Sequence, residues 1–192
     1  MMTPDAGSVL LPIARSAIAR SWGMEVRARE DVPWLAEPGA TFVTLRKHGA
    51  LRGCIGSLEA RRPLLVDVRA NAVAAAFRDP RFPPVTPSEF DEVRIEVSLL
   101  SPLSRIDFFA GEDDAAARLQ PCVDGVVLEY GTARGTFLPQ VWEDLPDPAS
   151  FLQQLKRKAG LPSSFWAPEV RLYRYSVFKW IETEAATTPI LT

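Results

Sequence analysis

Only two cysteines, Cys54 and Cys122, and one histidine, His48, occur in the 192-residue chain. They match no zinc-ligand spacing and no disulfide-dense secreted pattern, so neither a structural metal nor a disulfide framework is expected. Nothing in the sequence indicates a cofactor. Charge of one sign is also lacking: 22 Lys plus Arg against 24 Asp plus Glu give a formal charge of -2. With an isoelectric point near 5.5 there is no overall field to draw in a phosphate backbone, which disfavours nucleic acid as a partner and leaves only a local basic patch open. Long apolar runs are missing, since Asp67 and Arg69 interrupt residues 64–77, so no membrane span is expected. The stretch Val9-Leu10-Leu11-Pro12-Ile13-Ala14 is short, holds a proline and follows no basic residue, so it is not read as a signal peptide, and the cytoplasm is the default compartment. What is present is the 47% hydrophobic content of an ordinary globular protein, in a length that suits one large domain or a domain with a small lobe. There is no internal repeat or low-complexity segment.

Leu10, Leu11, Ala14, Ala17, Ile18 and Trp22 recur at helical spacing and predict a helix over 8–22, with Ser8 as N-cap. Residues 41–46 and 51–58 read as strands joined by Lys47-His48-Gly49. That register pairs Leu45 with Leu51 and Val43 with Gly53, placing these and Ile55 on a core face and Thr44, Arg46, Arg52 and Cys54 on the other. Pro63 opens a helix to about Arg78 with a stripe of Leu65, Val68, Ala72, Ala75 and Ala76, and the prolines 80, 83 and 84 end it in a stiff loop. Residues 94–100 alternate as a strand whose Glu96 faces away from the core.

From 103 to 167 the texture is that of a small lobe: a helix over 112–119, then a hairpin of 124–130 with 134–138 around Gly131-Thr132-Ala133. Its best-bounded helix has Asp147 as N-cap, Pro148 in the first turn, Phe151, Leu152, Leu155 and Ala159 as the stripe, and Gly160 beyond the end. Residues 170–181 resume strand alternation, with Tyr173, Tyr175, Val177 and Ile181 on one face, and return the chain to the first sheet; 183–192 read as a frayed tail. Strands clustered with helices between hairpins indicate an α+β fold rather than regular βαβ winding, which removes the main support for Rossmann-type nucleotide binding.

The sharpest anomaly is Leu51-Arg52-Gly53-Cys54-Ile55-Gly56, where two glycines inside a strand mark a bulge or a close approach. Arg52 lies two positions from Cys54 on the same expected face, where a guanidinium favours the nucleophilic thiolate. Cys54 is therefore a candidate nucleophile, and the alternative is a small buried cysteine in a tight strand; the local sequence does not decide. His48 sits about 20 Å of extended strand from Cys54, too far for a dyad, and reads as an exposed turn residue. The best available carboxylate base is Glu96, whose alternative role is that of a solvated or arginine-paired strand residue. Arg78, Asp79 and Arg81 form either a polar rim or mutual pairs at a helix end. Lys156, Arg157 and Lys158 fall in a last helical turn and read as capping and solubility. Arg134 and Gln140 either face the other lobe or satisfy local backbone.

These residues resemble the AMMECR domain family, named for a chromosomal region of Alport syndrome with elliptocytosis. The resemblance rests on the LRGCIG hallmark at 51–56 with Ser57-Leu58-Glu59 and Arg62-Pro63-Leu64, and on Ala76-Phe77-Arg78-Asp79-Pro80-Arg81-Phe82. Glu96-Val97-Ser98, Gly125, residues 135–142, residues 156–161 and Tyr173-Arg174-Tyr175 add to it, so that it covers roughly residues 8–182. Ala60, where many relatives carry proline, is a mild departure. Within the family the chain is similar to the prokaryotic branch called AmmeMemoRadiSam system protein A. The resemblance implies two unequal subdomains with antiparallel sheets and flanking helices: a larger one of 1–102 and 168–192 with both termini, and an inserted one of 103–167. It implies that the hallmark faces a cleft between them, where Gly53, Gly56, Arg78, Asp79, Arg81, Arg134 and Gln140 would contact substrate around Cys54, Arg52 and Glu96. It implies association with a Memo-like protein and a radical S-adenosylmethionine protein, and no established reaction.

Three functions compete. In the first, Cys54 attacks or carries an electrophile, Arg52 stabilises the thiolate and an anionic group, and Glu96 moves protons. In the second, a noncatalytic component presents a substrate or peptide to a Memo-like or radical enzyme partner. The third, an RNA-binding or regulatory module, is disfavoured by net charge and by aromatics at core spacing.

Overall fold

The computed structural model describes residues 6–183, which fold as α+β in two compact units, one reaching Leu100 and resuming at Phe178, the other spanning Ser101–Val177. The expected tail over 183–192 lies, past residue 183, outside the described residues. Among those described, no helix is long and apolar enough to cross a membrane.

In the first unit, helix α1 (Ala6–Arg20) turns Leu10, Ile13, Ala14 and Ile18 into the core, all without exposure. Full burial of each large aliphatic side chain contributes about 1.5–3 kcal/mol. The helix begins ahead of the expected start, so Ser8 lies within its first turn instead of capping it. The short strands β1 (Pro38–Gly39) and β4 (Arg62–Pro63) pair with each other. The main sheet joins β2 (Thr41–Lys47), β3 (Ala50–Gly56), β5 (Val93–Leu100) and β10 (Val177–Ile181) in the order β10-β5-β2-β3, so β3 is an edge. Helix α2 (Leu64–Phe77) covers the face formed by Val43, Leu45, Ile95 and Val97.

The β2–β3 hairpin departs from the expected register. Lys47 pairs with Ala50, leaving His48 and Gly49 as a two-residue turn with φ of 51° and 80°, the twist that suits a tight hairpin. Beyond Arg46 and Leu51 the register shifts, Leu45 meets Gly53 and Val43 meets Ile55, and Arg52 is the extra residue of a bulge. The offset past the bulge is two residues, an even number, so the core-facing identity of Val43, Leu45, Gly53 and Ile55 is preserved. At the tip the offset is one, and Leu51 is turned outward and exposed.

The second unit carries the sheet β6-β9-β7-β8, from β6 (Ser104–Ile106), β7 (Gly125–Tyr130), β8 (Ala133–Phe137) and β9 (Arg171–Tyr175). Helix α3 (Gly111–Ala117) precedes β7, and helix α4 (Pro148–Lys158) starts where Asp147 accepts a hydrogen bond from the Ser150 amide at 2.9 Å. The core stacks Trp142 on Phe151 at 3.7 Å. Residues 170–181 are two strands and not one: β9 pairs with β6 and β7, and only β10 joins the first sheet. Ser176 separates them, its amide bonded to the Ser101 hydroxyl and its carbonyl to the Ser101 amide, so the second unit retains β9 and extends past the expected boundary at 167. Lys156 is also corrected. It is fully buried, donates to Glu112 at 2.7 Å and lies 5.9 Å from the Trp166 ring, which makes it a core ion-pair residue and not a solubilising one.

Candidate functional site

Cys54 stands on the face of the first sheet turned away from the helices. It is directly opposite Thr44 on β2, and Thr44 is in turn opposite Glu96 on β5, so the three form one row across three strands. Cys54 is partly buried, and the Thr44 hydroxyl donates to its sulfur at 3.2 Å. Adjacent strands lie about 4.8 Å apart, so Glu96 is about 10 Å from the thiol with Thr44 between them. Glu96 is buried although it faces away from the helix-packed core; its Oε1 accepts from Arg46 Nε at 2.5 Å and its Oε2 lies 3.7 Å from Lys179.

Because β3 is an edge strand, the outward amide and carbonyl of Cys54 need partners other than a strand. The proline-stiffened loop supplies them: Asp79 accepts the Cys54 amide at 2.8 Å and Arg81 Nη2 donates to the Cys54 carbonyl at 3.2 Å. Asp79 and Arg81 also pair with each other, at 2.7 Å and 2.9 Å. The hydrogen bonds from Arg81 hold the Asp79 carboxyl well below the usual carboxylate range, against a burial that pushes it up, and the Cys54 and Arg81 amides lower it further. Arg81 in return is held charged first by Asp79, while a coulombic and hydrogen-bond interaction with the Cys54 side chain adds to this. The rim and mutual-pair readings of Asp79 and Arg81 thus describe one arrangement.

Arg52 does not take the expected place beside the thiol. The bulge turns it to Glu89, which accepts from Nη2 at 2.8 Å and Nε at 3.3 Å, while the carbonyls of Pro83 and Pro84 accept at 2.8 Å and 3.3 Å. Its guanidinium therefore fastens the loop, and the cation next to Cys54 is Arg81. Hydrogen bonds from Arg52 lower Glu89 to about 2, with further lowering from the Thr86 amide and Lys47 against burial.

Both motif glycines have a steric reason. A Cβ on Gly53 would stand 2.2 Å from the Ala75 carbonyl oxygen, so only glycine lets α2 approach β3 this closely, and one on Gly56 would meet the Phe42 ring at 2.3 Å. Arg78 is exposed at the end of α2. Arg134 pairs with Glu129 at 3.0 Å within the β7–β8 hairpin and Gln140 is exposed; both belong to the second unit. His48 is 74% exposed at the turn and lies 2.9 Å from Glu92, as a turn residue and not a partner of the thiol.

Thr44, Arg46, Glu89 and Lys179 escaped the search for site residues. Thr44 and Arg46 were legible as neighbours on the Cys54 face, and Thr86-Pro87-Ser88-Glu89 has the spacing of a helix-capping box, realised by the Thr86 amide donating to Glu89 at 3.0 Å. Asp67, fully buried, gave no such signal. It accepts from the Thr41 amide and hydroxyl, Ser57, Arg62 and Asn71 at 2.7–2.9 Å and ties both ends of the hairpin to α2. Among the described residues no group of three or more His, Cys, Asp or Glu is gathered to hold a metal ion.

Comparison with known proteins places this geometry in a family. A protein of Methanothermobacter thermautotrophicus is 40% identical over 179 residues, covering 91% of this chain and 93% of the relative. One from Thermotoga maritima is 36% identical over 163 residues, covering 83% and 88%. The crystal structure of an uncharacterized protein from Pyrococcus horikoshii matches with a TM-score of 0.76 and 32% identity, over 94% of this chain and 93% of that one. The AMMECR1 family model matches residues 11–180, and the chain belongs to the AMMECR1 family.

Proposed function

We propose that Cys54 is the nucleophile of a group-transfer reaction on a small electrophilic substrate, in a system shared with a Memo-like protein and a radical S-adenosylmethionine protein. The observation that carries this reading is the setting of the sulfur: partly exposed, hydrogen-bonded by Thr44, and on a strand edge whose carbonyl accepts from the Arg81 guanidinium. The clamp of Asp79 and Arg81 on the Cys54 backbone holds the strand edge fixed as an attacking group requires. Glu96 is too far to take the thiol proton directly, so any proton it moves passes through water or the substrate.

A second reading is favoured by the binding of Glu96 to Arg46 and Lys179, which leaves the carboxylate of the Cys54 row already engaged. In it the same face presents a substrate or peptide to a Memo-like or radical enzyme partner without reacting. Iodoacetamide alkylation followed by peptide mass spectrometry separates the two. A nucleophile at Cys54 is alkylated faster than the exposed Cys122, and Thr44→Val slows it several-fold. Slower reaction at Cys54 than at Cys122 overturns the nucleophile, and retained partner capture by Cys54→Ser then favours the binding component.

A further inference from the structure

The face that carries Cys54 has more cationic than anionic side chains beyond the thiol. Arg46 on β2 stands directly opposite Arg94 on β5, a like-charge pairing that is unfavourable in an isolated sheet. Lys179 on β10 reaches the same carboxylate as Arg46, and among the described residues Glu96 is the one carboxylate bonded to either of them. Among the described residues Arg94 donates to the Asp91 carbonyl at 3.5 Å and pairs with no carboxylate. Nearer the thiol, Arg81 is matched by Asp79. Two cations therefore share one buried carboxylate, and the side chains of Arg46 and Lys179 stay 41% and 46% exposed while Glu96 is 6% exposed. The solvent-facing groups are the positive ones.

We infer that the Cys54 site selects a small electrophile with an anionic group, held by Lys179 and Arg46 where the two meet at Glu96, about two strand spacings from the sulfur. This rests on Cys54 being a nucleophile and adds the substrate class. Glu96 is then a positioning residue: it orients the two cations along the row and leaves their remaining donors to the anion. The distance sets the size of the substrate, because strands about 4.8 Å apart place the anion about 10 Å from the reacting atom. A carboxylate and a phosphoryl group share this chemistry.

Methanethiosulfonate reagents of different charge test the inference on the intact protein carrying Cys122→Ser. In each reaction the Cys54 thiolate attacks the sulfenyl sulfur, a protein S–S bond forms, the S–SO2 bond breaks and methanesulfinate leaves; the thiol proton has gone to solvent. The rates for the sulfonatoethyl, trimethylammonioethyl and neutral methyl reagents are normalised to those with 2-mercaptoethanol. We expect the anionic reagent to outpace the cationic one by about five- to tenfold, the size given by two unit charges near 10 Å in a mostly aqueous medium. The ratio falls toward one in Lys179→Gln and inverts in Lys179→Glu with Arg46→Gln, each checked for native circular dichroism. It also collapses between 0.1 M and 1 M salt, where the screening length drops from about 10 Å to about 3 Å. Slowing of the anionic reagent by inorganic phosphate identifies a phosphoryl group, and slowing by acetate a carboxylate. Equal normalised rates for all three reagents overturn the anionic substrate and leave the nucleophile standing. No reaction at Cys54 with any reagent overturns both.

Discussion

Strands β3 and β8 are each the outer strand of a four-stranded sheet, each follows a two-residue turn, and each sets a glycine against the backbone of a helix. In the second unit Gly135 meets Leu155 of α4 and its C-cap Ala159, the β7–β8 register is unbroken, and the strand carries the Arg134–Glu129 pair and the Thr136–Tyr175 contact. In the first unit Gly53 meets α2, but the strand is bulged at Arg52 and its outer edge is occupied by Asp79 and Arg81, with Arg52 and Glu89 securing the loop that carries them. One packing device thus serves two purposes. In the second unit the glycine lets a helix sit close; in the first, where Cys54 is displayed, the same closeness is combined with a charged, hydrogen-bonded edge.

Substituting the two glycines gives the largest contrast. A Cβ at Gly53 faces a backbone oxygen at 2.2 Å, which cannot move without shifting α2, whereas at Gly135 the nearest atoms are at 2.9–3.0 Å. Gly53→Ala is expected to cost about 3 kcal/mol or more and Gly135→Ala about 1 kcal/mol, the range of overpacking in a rigid interior. Urea unfolding checks the totals, and amide exchange assigns each loss to its own sheet. Equal losses would show that the close helix approach is no tighter in the first unit.

Much of this contrast was visible in the residues. The α4 boundaries followed from Asp147, Pro148 and Gly160, because capping and turn chemistry are local. The polar face of Thr44, Arg46 and Cys54 followed from alternation, which survives a register error of two residues. The bulge did not, because a three-residue connection and a two-residue turn with an extra strand residue have the same length in sequence. Its consequence, the removal of Arg52 from the thiol, was equally hidden. Lys156 was misjudged and Asp67 passed over for a related reason: a charge buried by partners distant in sequence, Glu112 for one and Thr41 for the other, looks like a solvated charge in a one-dimensional reading. The break between β9 and β10 turned on Ser176, whose partner lies at Ser101.

Asp79→Asn tests whether the charged edge itself matters. It leaves the half-exposed Arg81 without its carboxylate and weakens the buried acceptor for the Cys54 amide, and losing a hydrogen bond to a charged group costs about 2 kcal/mol. The loss should concentrate in the exchange protection of β3 and leave β8 unchanged. Acid reports the same asymmetry. Glu89 titrates near 4.5 when unfolded and at about 2 in the fold, so its stabilisation is complete above 4.5. As pH falls the unfolded carboxylate takes up its proton first, and stability drains between about 4.5 and 2. Glu89→Gln is expected to flatten that part of a stability-against-pH curve; an unchanged acid limb would detach the Arg52–Glu89 clamp from the stability of the fold.

The smallest expected effect belongs to the second unit. Asp147→Ala removes the N-cap of α4, an exposed hydrogen bond whose loss costs about 1 kcal/mol in typical helices. Because Gly135 lies against the other end of α4, fraying of its first turn should not reach β8, and protection there should persist. In the first unit the corresponding loop acts directly on the edge strand, so even a modest loosening at Asp79 alters the surroundings of Cys54. Measuring iodoacetamide reactivity of Cys54 in both variants sharpens the contrast: it should change in Asp79→Asn and stay constant in Asp147→Ala. A change in both would mean that the Cys54 edge answers to the stability of the whole chain and not to its own clamp.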